Sequence, residues 1–207
     1  MRAPSPWTAR ERAVLARLSS PARVQYFLDS MPYSADPFYR CPRAVLRDRK
    51  AHCFDGAVFA AAALRGLGFQ PLLVDLGAVR DDDHVLAVYR RHGGWGAVSK
   101  SNFAGLRYRE PLYRSVRDLV LSYFEVFYNL AREKTLRTYS RPVDLARFDR
   151  LDWLTSDEAM ETIAQALDRV RHYPLLTAAQ VRALVQVDKR SYEAGLRGAN
   201  RAGLYQP

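Results

Sequence analysis

The sequence predicts an α+β protein in which a buried helix carrying a cysteine packs on an antiparallel sheet, with helical segments before and after this core. Three observations predict it. Residues 54–64 are apolar apart from Asp55, and a helix that is apolar on every side belongs in a core. Residues 70–99 alternate short β-prone runs with turn residues, the pattern of strands joined by tight connections. The flanking segments carry N-cap signals ahead of apolar residues at helical spacing: Thr8 with Glu11, Ser20 before Pro21, Thr155 with Glu158, and Thr177 with Gln180.

In chain order, Val14, Leu15 and Leu18 follow the first cap, and Val24, Phe27 and Leu28 the second. Residues 32–42 hold three prolines and three aromatics, which makes them an irregular loop with apolar anchors, suited to wall a cleft. A short helix near residues 43–48 leads to Cys53, where the central helix begins. Asp55 lies in its first turn, at the positive end of the helix dipole, and Gly66 and Gly68 end it. Strands are predicted over 70–76, from His84, and over 95–99, separated by the acidic turn Asp81, Asp82, Asp83 and a turn of Arg90, Arg91, His92 and two glycines. After a polar and aromatic connection over 102–113, Ser115 caps a long predicted helix with Leu119, Phe124, Phe127, Leu130 and Ala131 on its apolar face. Residues 135–154 have no clear period and read as a linker. The chain thus reads either as a domain over 1–150 with a helical extension over 151–207, divided near Asp152, or as one domain throughout. In that extension Met160, Ile163, Leu167 and Val170 keep helical spacing until Pro174, and the pair of helices reads as a cover or a dimer contact.

Composition limits the function. With 207 residues, 48% of them apolar, the chain has ample material for a full core. No apolar run approaches the roughly 20 residues needed to span a bilayer, and the first residues lack the apolar core of a secretion signal, so the expected location is the cytoplasm and no membrane partner is expected. Two cysteines, Cys41 and Cys53, exclude a disulfide-built scaffold. A formal net charge of +10 invites nucleic acid, but 28 arginines against four lysines are scattered through every segment instead of forming a patch, and nucleic acid is not the expected partner. His52 and Cys53 have no second His/Cys pair at metal-ligand spacing, and the glycines at 93, 94 and 96 lack a P-loop lysine. No metal or cofactor is expected.

The chemistry centres on Cys53. At a helix N-terminus, unpaired N–H groups and the dipole favour thiolate over thiol. His84 opens the second predicted strand, and cysteine at a helix start followed by histidine at a strand start is the order of a thiol–imidazole pair. If Tyr89 pairs with Trp95 across the turn, Lys100 faces His84, and a shift of one makes it Ser99. The residue at that position would orient the imidazole and select its tautomer. Asn102, just past the strand, is the other candidate, as in the Cys-His-Asn form of the triad.

The runs Cys-Phe-Asp-Gly-Ala (53–57), Asp-His-Val-Leu-Ala-Val-Tyr (83–89) and Gly-Gly-Trp-Gly-Ala-Val (93–98) resemble the core of the transglutaminase-like superfamily of papain-like fold, over about residues 45–105. The resemblance implies that Cys53 is the nucleophile and His84 the general base, and Trp95 matches a tryptophan usual in the next strand. The family carries an aspartate about fifteen residues beyond its histidine, where this chain has Ser99. The implied activity is acyl transfer from a peptide, or from a small-molecule amide or ester, through Cys53, His84 and Ser99 or Asn102, to water or an amine. The alternative is a scaffold or binding protein that keeps the fold after its third catalytic position has decayed.

Overall fold

A computed structural model describes residues 5–206. Its centre is α4 (Cys53–Gly66), in which Phe54 to Leu64 are all buried. Fully burying Val58, Phe59 and Leu64, each 0% exposed, contributes about 2 kcal/mol apiece. Before it run α1 (Ala9–Ala16), α2 (Pro21–Asp29) and α3 (Pro42–Asp48). The expected Thr8–Glu11 capping box forms on α1, and Ser20 caps α2.

The sheet comprises β1 (Leu72–Ala78), β2 (His84–Arg91), β3 (Gly94–Val98), β4 (Arg109–Tyr113), β5 (Leu136–Ser140), β6 (Val143–Asp144) and β7 (His172–Pro174). Its order is β4-β3-β2-β1-β5-β7, with β6 also paired to β1 and every pairing antiparallel. The mixed helical and antiparallel-sheet architecture is α+β, as the pattern predicts. Strand alternation divides the core in two. Leu73, Val85, Ala87, Tyr89 and Val98 face α4, whereas Val74, Leu76, Leu86, Val88 and Ala97 face Leu119, Val120, Tyr123 and Phe127. The central strands are covered on both faces, which is why β1 and β2 read as nearly continuous apolar runs.

Several expectations are corrected. The β2–β3 turn is His92-Gly93, both with positive φ (50° and 84°), the type I′ geometry that suits a two-residue hairpin. It pairs Arg91 with Gly94 and Arg90 with Trp95, one residue away from the expected Tyr89–Trp95 register. The ladder stops at Ala87–Val98, so no residue of β3 lies directly opposite His84. In place of a long helix after Ser115 there is α5 (Val116–Leu121) and a 3-10 turn at Phe124–Val126. The chain then reverses where Asn129 Oδ1 accepts from the N–H groups of Ala131 and Glu133 and Arg132 takes φ 61°. The expected linker over 135–154 is structural: it supplies β5, β6 and a 3-10 helix (Leu145–Leu151). Residues 151–207 are likewise no purely helical appendage. They add α6 (Glu158–Arg169), whose Met160 and Ile163 are buried in the α4 core, then β7 on the sheet, α7 (Ala178–Arg182) and α8 (Lys189–Gly195). The boundary expected near Asp152 therefore falls inside one hydrogen-bonded unit. The cap of α6 is also displaced: Asp157, not Thr155, precedes it, and its carboxylate accepts from the Cys41 N–H at 2.7 Å. No helix among the described residues is long and apolar enough to cross a membrane.

Candidate thiol–imidazole site

The N-terminus of α4 is held by a buried cation. Arg40, 2% exposed, donates from its backbone N–H to Asp55 Oδ1 at 2.8 Å and from Nε to Asp48 at 3.0 Å, and its guanidinium also pairs with Asp36 and bonds Ser34. His52 is the N-cap: its Nδ1 accepts from the Asp55 N–H, and the Asp55 carboxylate accepts from the His52 N–H, both at 3.4 Å. Burial pushes the Asp55 carboxyl up to about 7 despite the Arg40 and His52 N–H groups that favour its charge. Histidine is outside the usual set of capping residues, so this box carries no ordinary sequence signal.

Cys53 is the first residue of α4 and is half-buried. Its thiol donates to the Asp83 carbonyl at 3.8 Å. The expected lowering of its pKa by the helix end is reversed. Burial pushes the thiol up to about 12, against the pull of the Val85 N–H and the Tyr33 hydroxyl, and Asp55 and Asp82 add to the rise. Desolvation outweighs the dipole because protein surrounds most of the sulfur. Cys41 is buried and free, and burial raises it to about 11.

His84, 4% exposed, lies between Ser99 and Phe127. Its Nε2 is 2.9 Å from Ser99 Oγ, and that hydroxyl donates to the Leu106 carbonyl at 2.7 Å. A hydroxyl has one proton to give, so Ser99 accepts from His84. The imidazole is thereby fixed as the Nε2–H tautomer, with Nδ1 left as the basic nitrogen. No buried side-chain nitrogen or oxygen among the described residues lacks a partner. His84 and Cys53 both line one small pocket. Burial lowers the imidazole to about 4, with the Leu106 carbonyl opposing. No hydrogen bond joins Cys53 to His84. Along β2, His84 shares its side with Leu86 and Val88, away from α4, whereas Val85 faces α4. The two side chains thus reach their common pocket from opposite sides of the strand.

Ser99 has no exposure and is fixed by two backbone bonds to the Gln25 amide, at 3.0 and 2.9 Å. Lys100 turns away, donating to the Leu28 and Met31 carbonyls at the end of α2. Asn102 is not on the ring. Its amide accepts from the Asn200 N–H at 2.7 Å and donates to the carbonyls of Asn200 and Gly203 at 2.8 and 3.0 Å. Trp95 is half-buried at the far end of β3 and lines neither cavity at the thiol.

Two cavities meet at Cys53. A cleft of about 390 Å³ is walled by Tyr33, Ser34, Asp36 and Tyr39 of the proline-rich loop, by Asp75 and by Asp168 of α6. A pocket of about 40 Å³ lies on the His84 side, against Phe127 and Leu106. Gly203 and Leu204 line both. Beside the cleft, Asp75 Oδ2 meets His172 Nε2 at 3.0 Å while His172 Nδ1 meets the Val170 carbonyl at 2.9 Å, so a buried carboxyl is paired with a half-buried imidazole. The loop's role as a wall was readable from its prolines and aromatics. The segment over 200–205 was not, because only turn-forming Asn200 and Gly203 mark it. Among the described residues no group of three or more His, Cys, Asp or Glu is arranged to hold a metal ion. The chain matches no protein-family model and no curated protein.

Proposed function

We propose that the protein is a thiol-dependent acyl-transfer enzyme of transglutaminase-like, papain-like architecture, acting in the cytoplasm on an amide or ester. The observation that carries this reading is His84, oriented through Nε2 by Ser99, in the same pocket that Cys53 lines. In the reaction Nδ1 takes the thiol proton as Sγ bonds to the acyl carbon. The tetrahedral intermediate then collapses, breaking the bond to the leaving nitrogen or oxygen, which receives that proton. Water or an amine next attacks the thioester, gives its proton to Nδ1 and returns the thiol. Ser99 is a neutral orienting group in this scheme: it holds the ring but supplies no charge to stabilise imidazolium, and turnover below that of a carboxylate triad follows.

A second reading, a scaffold that has lost catalysis, is favoured by the missing Cys53–His84 hydrogen bond and by a thiol held protonated through burial. One experiment separates the two. Incubation with a panel of activated esters and thioesters should give an acyl adduct on Cys53, mapped by mass spectrometry, that forms at least roughly a hundredfold more slowly in His84→Ala, the scale of general-base catalysis. Adduct formation equal in wild type and His84→Ala, or none on Cys53, would overturn the enzyme reading.

A further inference from the structure

Between α1, α2 and α3 lies a groove of about 630 Å³ that shares no lining residue with the two cavities at Cys53. Its floor is apolar: Val14 of α1, Leu18 just past it, Phe27 of α2 and Leu46 of α3. Leu18, Phe27 and Leu46 pack with the core around α4, so the floor is continuous with that core. The rim is cationic, with the guanidinium groups of Arg10, Arg17, Arg47 and Arg49. Arg47 engages its fork with Asp48 at 2.6 and 3.2 Å. The arginine ion pairs among the described residues include none made by Arg10, Arg17 or Arg49. Glu11, the carboxylate in the lining, is turned to Arg43 at 2.9 Å and accepts from the Thr8 N–H at 2.7 Å, which leaves the charge of the rim unanswered.

Arg49 joins floor to rim. It ends α3 in the left-handed conformation, φ 54°, where glycine is the usual residue. Its guanidinium lies 4.3 Å over the Phe27 ring and gives one N–H to Ser30 Oγ at 2.9 Å, with further N–H groups to spare. Arg10, Val14 and Arg17 fall at i, i+4 and i+7, which brings them onto one face of α1. We propose that this groove binds a small soluble amphiphile, an aliphatic carboxylate whose chain lies on the apolar floor and whose head meets Arg49, within the field of Arg10 and Arg17. Charge complementarity selects the anion, and a guanidinium fork matches a carboxylate with two parallel N–H donors. The floor selects the chain, and the volume falls in the range of small-molecule sites, roughly 300–1,000 Å³. The proposal is independent of the acyl-transfer reading, because no residue of the thiol site takes part.

The test is calorimetric titration of the full chain with decanoate, below the concentration at which it forms micelles. Binding should be saturable and should strengthen from octanoate to decanoate by about fourfold per methylene, the factor for burying one more CH₂. Decyltrimethylammonium, with the same chain length and the opposite charge, should bind at least about tenfold more weakly. Arg49→Gly keeps the left-handed backbone without strain and removes the guanidinium, so it should weaken decanoate about tenfold. Arg10→Glu combined with Arg17→Glu should do so at least as strongly, with circular dichroism to verify folding. If the double variant fails to fold, Arg49→Gly alone decides. Absence of saturable binding, equal binding of the ammonium compound, or full affinity in Arg49→Gly would overturn the proposal. Affinity that ignores chain length would also overturn it, since the anion would then sit on the rim alone. So would binding confined to phosphatidylglycerol vesicles in a sedimentation assay, because this face would then dock on a lipid surface instead of taking up a single molecule.

Discussion

At the scale of single residues, the position of Ser99 governs what His84 can do. Its hydroxyl stands between an N–H donor and a carbonyl acceptor, a place suited to a group with one proton and one free lone pair. Ser99→Ala leaves both neighbours unsatisfied and should cost about 1–3 kcal/mol, measured by urea unfolding. An aspartate, the residue the resemblance calls for, fares worse. Its carboxylate would face the Leu106 carbonyl, which lies 2.7 Å from the present oxygen. Ser99→Asp is therefore expected to lower stability more than Ser99→Ala above neutral pH, and to regain part of it on acidification as the carboxyl protonates and can donate. Stability of Ser99→Asp equal to or above wild type across that range would show that the Leu106 carbonyl can turn away. The spacing from His84 pointed to Ser99 or Lys100, yet strand pairing did not place either: the ladder ends first, and the choice is made beyond β3 by the Gln25 amide and the Leu106 carbonyl. Asn102 was a candidate by proximity in sequence alone, and a segment nearly a hundred residues away takes its amide. No local pattern reports such a contact.

Among the elements, α4 was the most legible because burial and periodicity agree, and its close packing makes a sharp prediction. A Cβ on Gly56 would lie 2.2 Å from Lys100 Cβ, so alanine there forces α4 and the segment after β3 apart. Gly56→Ala gains about 1 kcal/mol of helix propensity but should still destabilise the protein by about 2 kcal/mol or more through overpacking, read from the thermal midpoint. A stabilised variant would mean that this contact gives way easily. The segment after Ser115 departs from its helical period for a physical reason. Its aromatics fall at helical spacing, yet the same residues satisfy a short helix followed by a reversal, in which the Thr135 N–H donates to the Phe127 carbonyl at 3.2 Å and Tyr128 pairs with Lys134. Period alone does not separate a continuous helix from a folded-back chain when the deciding bonds are tertiary.

Across the whole molecule, the sheet is built from both sides of the expected domain boundary, since β1 pairs with β5 and β5 with β7. β6 and β7 leave no sequence signal because they span two and three residues, too few to show alternation. This single packed unit contains several titratable groups whose charged forms burial disfavours, and their effects on stability have opposite signs. His52 and His84 are lowered to about 4 from 6.5, so as pH falls through that window the unfolded chain takes up protons first and stability is lost. Asp55 is raised from 3.8 to about 7, and Asp75 and Asp81 to about 6. For these carboxyls the folded chain protonates first, and stability is gained as pH falls. The wild-type profile between pH 7 and 4 is thus flatter than either set alone would make it. Replacing one histidine isolates its share. His84→Gln keeps a donor for Ser99 and removes the titration, so its stability deficit relative to wild type should shrink by about 2–3 kcal/mol on going from neutral pH to pH 4, the size of a shift from 6.5 to about 4. Urea midpoints of both proteins at matched pH values measure this difference. A deficit that stays constant would show that His84 protonates as easily in the fold as in the unfolded chain, and that the ring is open to water instead of sealed between Ser99 and Phe127.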